Sequence, residues 1–241
     1  AFWYAFLTGL ICQSLHLRYI NILHGGNLPD RIDSNPSLSR RLFSHAFKLV
    51  APSGYLFEEF TKRGYSNLIH IPNPLDINQY SFKQRKSLSP SLLWVRSFDR
   101  TYNCRMAIRV LAKLKTRFSD ARLCMVGPDK DGSLKLTRKL AEELSVSDSV
   151  IFPGRLGKTE WYKLSESYDI FINTTNYDNT PMSVIEAMAL GLPVVSTNAG
   201  GIPFMIKDGE NGLLVDKDNA DQMVSCIVKL IENPEMSFRM S

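Results

Sequence analysis

Two carboxylates near the C-terminal end, Asp178 and Glu186, have the spacing of a pair that can hold a polyhydroxylated ligand. Glu186 falls about one turn into a predicted helix, so its side chain can point back over the loop that carries Asp178. A carboxylate accepts hydrogen bonds from two hydroxyl groups of a sugar or a ribose. These two residues therefore predict a site for a ligand with neighbouring hydroxyls.

The predicted site lies where a strand leads into a helix. The apolar run 168–173 predicts a buried strand, and residues 182–190 predict a helix that Gly191 ends. Thr180 as the N-cap and Pro181 as the first helical residue predict the start of this helix. Free N–H groups at such a helix start suit a phosphate. The residues predicted to provide this phosphate site are Thr180, Pro181, Met182 and Ser183.

The same stretch resembles the donor-binding motif of the retaining GT-B glycosyltransferases of family four, the glycosyl transferases group 1. The family has an acidic pair at this spacing, an EAMA run, a G-x-PVV run and a GG-x-P turn. The matching segments here are 186–189, 191–195 and 200–203, with Asp178 where the family usually has Glu. The resemblance implies an α/β fold of the GT-B type, with two Rossmann-like parallel-sheet domains facing a cleft.

Further donor-site residues follow from the resemblance. Arg96 ends the first strand of the second domain, where the family clamps the donor pyrophosphate with an Arg and a Lys. Thr101 takes the place of that Lys, and Arg100 is an alternative source of the second positive charge. In the competing interpretation, Arg100 is a surface charge that pairs with Asp99. Gly127, at the end of a predicted strand, is also assigned to the donor site. The residues after Gly127 lack the other glycines of the G-x-G-x-x-G motif, which argues against a dinucleotide-dependent oxidoreductase.

The N-terminal part of the chain offers one further site residue. A predicted strand over residues 19–23 ends in His24 and two glycines, which allow a ligand to approach closely. A structural role is the usual one for such a His. The resemblance favours a sugar contact for His24, made from the domain opposite the donor.

Strand and helix patterns alternate from residue 91 onwards, which predicts a parallel sheet with right-handed crossovers. Residues 77–90 are polar without apolar periodicity and are interpreted as an interdomain linker. Residues 1–76 are then the C-terminal part of an acceptor-side Rossmann-like domain, and 91–241 the nucleotide-sugar-binding domain. Since the chain begins without Met inside an apolar segment, we expect a fragment whose N-terminal domain is incomplete.

Composition limits the partners. The net charge of +5 fits a solvated basic surface, affinity for anionic phosphates, or peripheral contact with an anionic membrane. No basic cluster is interleaved with aromatic residues, so no nucleic acid is expected. Four scattered cysteines predict reduced core residues of a cytoplasmic protein. The apolar residues 1–15 are too short for a bilayer, which needs about 20, and predict a buried or interfacial helix.

Two D-x-D segments, at 129–131 and 216–218, are interpreted as solvated turns, and no metal or other cofactor is expected. The resemblance implies a retaining, metal-independent hexosyltransferase that uses a nucleotide-diphosphate sugar and a glycan, lipid-linked or small-molecule acceptor. Asp178 is assigned to sugar hydroxyls and Glu186 to ribose hydroxyls. Two alternatives stay open: a GT-B nucleotide-sugar epimerase and a non-catalytic nucleotide-sugar-binding module. The expected location is cytoplasmic, with the cytoplasmic membrane face as an alternative.

Overall fold

The computed structural model describes residues 2–241, which divide into two units. The first unit contains the chain up to Leu75 together with Tyr177–Thr180. The second unit contains Asp76–Asn176 and Pro181–Ser241. The loop after residue 176 therefore belongs by its contacts to the first unit, although the strand before it and the helix after it belong to the second.

The first unit is a small α/β layer built on a parallel sheet. Its elements are α1 (Phe2–Ser14), β1 (Ile20–Ile22), α2 (Leu28–Ser34), α3 (Pro36–Ser44), β2 (Lys48–Ala51), α4 (Gly54–Lys62) and β3 (Leu68–His70). The strand order is β1-β2-β3, and Leu49 in the central strand is fully buried. The Ser53 hydroxyl caps α4 by accepting a hydrogen bond from the Leu56 N–H at 3.1 Å. Leu56 and Phe60 then bury the apolar face of α4.

The apolar opening of the chain forms α1, as the sequence predicts. Phe6 on this helix is buried, whereas Trp3, Tyr4 and Leu7 are exposed. Within residues 2–241, no helix has both the length and the apolar character that crossing a bilayer requires.

The second unit is a larger parallel α/β domain. Its first half contains β4 (Ser91–Val95), α5 (Cys104–Lys115), β5 (Arg122–Val126), α6 (Ser133–Glu143), β6 (Val150–Gly154) and α7 (Lys158–Ser165). Its second half contains β7 (Ile170–Asn173), α8 (Met182–Ala189), β8 (Val194–Thr197), β9 (Leu213–Val215), α9 (Ala220–Glu232) and α10 (Pro234–Met240). Leu92, Leu93 and Trp94 of β4 are fully buried, as expected for a parallel strand covered on both faces.

The strand order of this sheet indicates where a ligand would bind. The order β6-β5-β4-β7-β8-β9 means that the chain first builds outward from β4 on one side and then returns to pair β7 on the other. Leu92 pairs with Ile170 at the centre, between the two halves. In open parallel sheets, ligands bind beyond the carboxyl ends of the strands where the order reverses. Arg96, which directly follows β4, lies at this position.

Residues 77–90, interpreted from their polarity as a linker, pack into the second unit. The buried guanidinium of Arg85, 3% exposed, explains this. It donates hydrogen bonds to backbone carbonyls at the end of α7 and the loop after it, in the loop after α8, and in its own segment. The acceptors are Tyr168 at 3.1 Å, Lys83 at 2.9 Å, Leu190 at 3.1 Å, Gly191 at 2.7 Å and Ser165 at 3.0 Å. Because these carbonyls lie in separate loops, Arg85 joins them and anchors the segment that carries it.

Helix α8 begins at the predicted residue, Met182, but its N-cap differs from the prediction. Pro181 is the N-cap residue, with φ −68° and ψ 99°, and Met182 is the first helical residue. The predicted N-cap, Thr180, is therefore wrong by one position, because the extended backbone of Pro181 places the first helical turn after it. Helices α2, α7 and α10 are also additional to the predicted ones. Helix α8 ends at Ala189, one residue before the predicted Leu190, and Gly191 has the positive φ of +74° that is common just after a helix end.

Candidate functional site

Arg96 lies at the reversal point of the large sheet. Its backbone N–H donates to the Val126 carbonyl at 3.0 Å, which continues the pairing of β4 with β5. Its guanidinium carbon lies 4.8 Å from the centre of the Tyr102 ring, a cation–π distance. Burial lowers the pKa of Arg96, and the nearby Tyr102 and Glu186 oppose this shift. An arginine keeps its charge at neutral pH, so Arg96 is a fixed positive charge within electrostatic reach of Glu186.

Gly127 has a steric role beside Arg96. Its φ is +151°, and its N–H donates to the Gly154 carbonyl at 2.8 Å. A β-carbon at this position would lie 1.8 Å from the Arg96 carbonyl oxygen. Only glycine allows the backbone after β5 to pass this close to the end of β4. The sequence assigns Gly127 to the donor site, and the structure shows how it permits the backbone position of Arg96.

Glu186 is a buried carboxylate on α8, only 5% exposed. Its Oε1 atom lies 3.1 Å from the Tyr162 hydroxyl and 3.3 Å from the Tyr80 hydroxyl. The Lys158 ammonium also contacts Oε1, at 3.1 Å. Since a carboxylate has about four acceptor positions over its two oxygens, Glu186 retains capacity at Oε2 for the hydroxyls of a ligand.

The two tyrosines form a compact support for Glu186. Their ring centres are 4.8 Å apart, and their hydroxyl oxygens are 3.0 Å apart. Each phenol has one proton, so two of the three contacts among these hydroxyls and Oε1 are hydrogen bonds at any moment. The pKa of Tyr162 is raised, first by burial and then by its hydrogen bonds to Tyr80 and Glu186. Tyr162 therefore stays protonated and remains a donor at neutral pH.

Lys158 completes the cluster from the first turn of α7. Its hydrogen bond to Glu186 and the charge of that carboxylate raise the pKa of its ammonium group. Sequence patterns do not indicate Tyr80, Tyr162 or Lys158, because these residues lie 106, 24 and 28 positions from Glu186 and match no motif.

The amino end of α8 carries an unusual buried hydroxyl. Among the described residues, Ser183 Oγ is buried without a hydrogen-bond partner. Buried polar groups are normally hydrogen-bonded, and an exception requires an explanation. Within residues 2–241, Thr180 Oγ1, in the first unit, is also buried without a hydrogen-bond partner. Both residues belong to the segment predicted to bind phosphate, which also contains Pro181 and Met182.

Asp178 belongs to the first unit, where its loop lies against the turn after β1. Asp178 Oδ1 accepts the Asn179 N–H at 2.9 Å, and a β-carbon on Gly26 would lie 2.9 Å from the Asp178 carbonyl carbon. The Asn179 side chain donates to the Leu23 carbonyl at 3.3 Å and accepts a hydrogen bond from Ser53. His24 is exposed in this turn. The structure thus brings the chain segments of Asp178 and His24 together.

Arg100 lies in a 3₁₀ turn, Arg100–Tyr102, that follows β4. The Asp99 side chain caps this turn by accepting the Thr101 N–H at 2.8 Å. The Arg100 N–H donates to Asp131 at 3.1 Å, and its carbonyl accepts from the Asn176 side chain at 3.3 Å. Arg100 is exposed.

The two D-x-D segments have roles in turns. Asp129 accepts the Gly132 N–H at 3.1 Å, Asp131 accepts the Ser133 N–H at 3.1 Å, and Asp218 pairs with Arg109. In the part of the chain from residue 2 onwards, no three His, Cys, Asp or Glu side chains group as a possible metal site.

Several known proteins share this sequence pattern. A protein of Haemophilus influenzae named an uncharacterized glycosyltransferase is 32% identical over 183 residues, covering 73% of this chain and 49% of that protein. A GDP-mannose-dependent α-mannosyltransferase of Corynebacterium glutamicum is 28% identical over 175 residues, covering 70% of this chain and 40% of that protein. The chain thus spans about half or less of the length of these curated relatives.

Solved structures share the fold. Anabaena Alr3699/HepE in complex with UDP and glucose superposes with a TM-score of 0.84 at 18% identity, covering 100% of this chain and 69% of that chain. Sucrose-phosphate synthase from Thermosynechococcus elongatus gives a TM-score of 0.81 at 17% identity, covering 98% of this chain and 65% of that chain. At these identities the likeness shows the fold alone, and it confirms the predicted α/β class of GT-B type.

The family model of glycosyl transferases group 1 matches residues 76–241, a range that begins where the second structural unit begins. It includes Arg96, Gly127 and Glu186, the residues that meet at the reversal point of the sheet. The resemblance seen in the sequence is confirmed, and the chain belongs to the family of glycosyl transferases group 1.

Proposed function

We propose that this chain is the donor-binding part of a retaining hexosyltransferase that uses a nucleotide-diphosphate sugar and needs no metal ion. One observation carries the proposal: a buried carboxylate, Glu186, is held by two tyrosines and a lysine near the partly buried cation Arg96. A carboxylate with a spare oxygen suits the neighbouring hydroxyls of a ribose. A fixed guanidinium suits the adjoining pyrophosphate.

The proposed reaction is a displacement on one face of the sugar. The bond between the anomeric carbon and the pyrophosphate oxygen breaks, and a bond from the acceptor hydroxyl oxygen forms on the same face. The leaving phosphate oxygen takes the acceptor proton, so no side chain has to act as a strong base. The protein must then stabilise the negative charge that develops on the pyrophosphate, which requires preoriented positive groups.

Arg96 and the amino end of α8 are the groups that we assign to this charge. Arg96 is positioned by the pairing of its backbone with Val126 and by the Tyr102 ring, so it needs little reorganisation during the reaction. The buried Ser183 hydroxyl supports a polar ligand at the start of α8, because such a group lacks a partner within the described residues. Helix starts bind phosphate through their free N–H groups.

The remaining roles are proposed on the resemblance. Asp178 is assigned to the sugar hydroxyls, His24 to a sugar contact, and Arg100 to the second positive charge near the pyrophosphate. The acceptor is a glycan, a lipid-linked saccharide or a small molecule. We also propose a cytoplasmic location, where nucleotide sugars are available, with peripheral contact to an anionic membrane face as an additional possibility raised by the net charge of +5.

Calorimetric titration with UDP, GDP, ADP and their sugars tests the proposal. One relative is named for GDP-mannose and one protein of the same fold was solved with UDP, so the panel must cover several bases. We expect one nucleotide to bind in the presence of a metal chelator. Glu186→Gln is expected to weaken its binding about tenfold, which is the size of one hydrogen bond to a charged group.

Glu160→Gln is the matched control, because Glu160 accepts the Gly157 N–H at 2.6 Å on the same helix as Lys158 and does not contact Glu186. The proposed site would be contradicted if nucleotide binding required a divalent cation, or if Glu186→Gln bound the nucleotide as tightly as the parent chain. Product analysis separates the alternatives: an epimerase yields a new nucleotide sugar without acceptor, and a binding module releases no nucleoside diphosphate.

A further inference from the structure

A second cationic site lies in the second unit, away from Glu186. A cavity of about 540 Å³ opens between the amino ends of α5 and α6 and the turn before α9. Three arginines line it: Arg100, Arg105 and Arg109. Of the predicted donor-site residues, Arg100 contributes to the lining, whereas Arg96 and Glu186 do not. The cavity is therefore lined largely by residues that the proposed donor site does not use.

The charges around this cavity are only partly balanced. Asp218 pairs with Arg109 and also accepts a hydrogen bond from the Asn103 side chain at 2.9 Å, so Arg109 is held in place. Across residues 2–241, no hydrogen bond or ion pair joins the guanidinium of Arg100 or Arg105 to another protein group. Asp131 lies near Arg100, but its carboxylate accepts backbone N–H groups of Arg100 and Ser133. Three guanidiniums thus face one lining carboxylate.

The chemistry of the lining selects the ligand. Guanidinium groups bind phosphate through pairs of parallel N–H donors, and several of them around one cavity favour a dianionic group. Asn103, Ser133 and Asn176 add polar groups, and Leu136 adds an apolar wall. The volume of about 540 Å³ lies in the range of small-molecule sites and exceeds what one phosphate ion fills. The cavity therefore has room for a polar, sugar-sized body besides the phosphate.

We propose that this cavity binds a phosphorylated saccharide or polyol through Arg105 and Arg109, next to Arg100 and at a site distinct from the donor nucleotide. The phosphate lies against the guanidiniums, and the hydroxylated body contacts the amide and hydroxyl groups of the lining. Such a ligand can be an acceptor substrate or an effector, since both present the same phosphate monoester.

Calorimetric titration of the full chain with glucose 6-phosphate, inorganic phosphate and glucose tests the site. We expect glucose 6-phosphate to bind best, inorganic phosphate to bind more weakly, and glucose not to bind. Arg105→Gln is expected to weaken binding of glucose 6-phosphate about tenfold or more, because a charge-assisted phosphate contact is lost. Rising salt concentration should weaken binding of the unaltered protein as well.

Lys139→Gln is the matched control, since it removes one positive charge from α6 at a position outside the cavity lining. It is expected to leave the affinity unchanged. Equal thermal unfolding midpoints for the two variants and the parent chain will establish that both fold. Absence of binding to the parent chain, or equal binding by Arg105→Gln and Lys139→Gln, would overturn the proposal.

Glu186→Gln separates this proposal from the proposed function. If the cavity is a distinct site, glucose 6-phosphate binds to this variant as it does to the parent chain, even where nucleotide binding is lost. If Glu186→Gln abolishes glucose 6-phosphate binding and Arg105→Gln preserves it, the ligand occupies the donor site and the inference is wrong. Consumption of the sugar phosphate in the presence of a donor identifies an acceptor, and an unchanged sugar phosphate identifies an effector; both support the site.

Discussion

The backbone at Gly127 passes the carbonyl of Arg96 so closely that a β-carbon on Gly127 would lie 1.8 Å from the Arg96 oxygen. The close approach joins the ends of the two strands from which the proposed pyrophosphate site is built. Any side chain at position 127 must displace either the end of β5 or Arg96.

Gly127→Ala is therefore expected to destabilise the protein by about 2–5 kcal/mol, from overpacking together with the strain of a left-handed backbone. Denaturant unfolding measures this loss. Gly132→Ala is the control, because Gly132 has φ +83° and no atom within 4 Å of the added β-carbon. It should cost only the backbone strain, about 1–2 kcal/mol. Equal losses for the two variants would show that the contact with Arg96 is relieved without cost.

Arg85→Met should cost about 3–5 kcal/mol of unfolding free energy, because it leaves buried carbonyls of several loops without their donor. Lys86→Met is the neighbouring control, and since Lys86 is exposed, its effect should stay within about 0.5 kcal/mol. Urea denaturation of both variants gives the comparison. A loss for Arg85→Met no larger than that of the control would mean that water replaces the guanidinium at these carbonyls.

Tyr162→Phe removes one of the donors that orient Glu186 while keeping the ring. We expect the dissociation constant of the donor nucleotide to rise about three- to tenfold, the size of one hydrogen bond. Tyr168→Phe serves as the comparison, because Tyr168 is equally buried but its hydroxyl contacts Cys124 instead of Glu186. Unchanged nucleotide affinity in Tyr162→Phe, alongside a clear loss in Glu186→Gln, would show that Glu186 needs no such support.

Buried tyrosines should make the protein sensitive to alkaline pH. Burial raises the pKa of Tyr168 from 10.0 to about 12, and it raises the pKa of Tyr162 as well. The unfolded chain loses these protons near pH 10.0, whereas the folded chain keeps them to higher pH. The stabilisation is thus complete below pH 10.0 and is lost as the pH rises through the folded pKa.

Denaturant midpoints measured across the window from pH 10.0 to about 12 should therefore fall, and they should fall less steeply in Tyr168→Phe. The phenolate absorbance, followed in the same titration, reports ionisation in the folded state. A parallel decline in the variant and the parent chain would place the alkaline sensitivity elsewhere.

Long helices and strands with a strong apolar pattern could be predicted from the sequence. Helix α9, Ala220–Glu232, is an example, because its apolar residues recur with a regular helical period and the Asn219 side chain caps it by accepting the Gln222 N–H at 3.0 Å. The apolar run of β4 likewise indicated a strand covered on both faces. Helix α7 was not predicted, since it is short and mostly polar, and its buried residues Trp161 and Tyr162 are too few to show a helical period.

Site residues could be predicted from the sequence only where they belong to a recognisable motif. Arg96 and Glu186 stand in recognisable runs, but the groups that hold Glu186 come from distant parts of the chain. Tyr80 is 106 positions from Glu186, and only tertiary folding brings its hydroxyl to the carboxylate. The role of Arg85 could not be predicted either, because a charged residue in a polar stretch ordinarily indicates a solvated segment. Burial of such residues depends on tertiary partners that local patterns do not reveal.

The buried position of Arg85 also bears on how this protein should be divided for expression. A C-terminal fragment that starts at Ser91, after the polar stretch, would lack the guanidinium to which two of its own loops, those after α7 and after α8, are hydrogen-bonded. A fragment that starts at Asp76 would retain it, and both the family match and the structural unit begin there. We therefore expect the longer fragment to be recovered folded and the shorter one to aggregate.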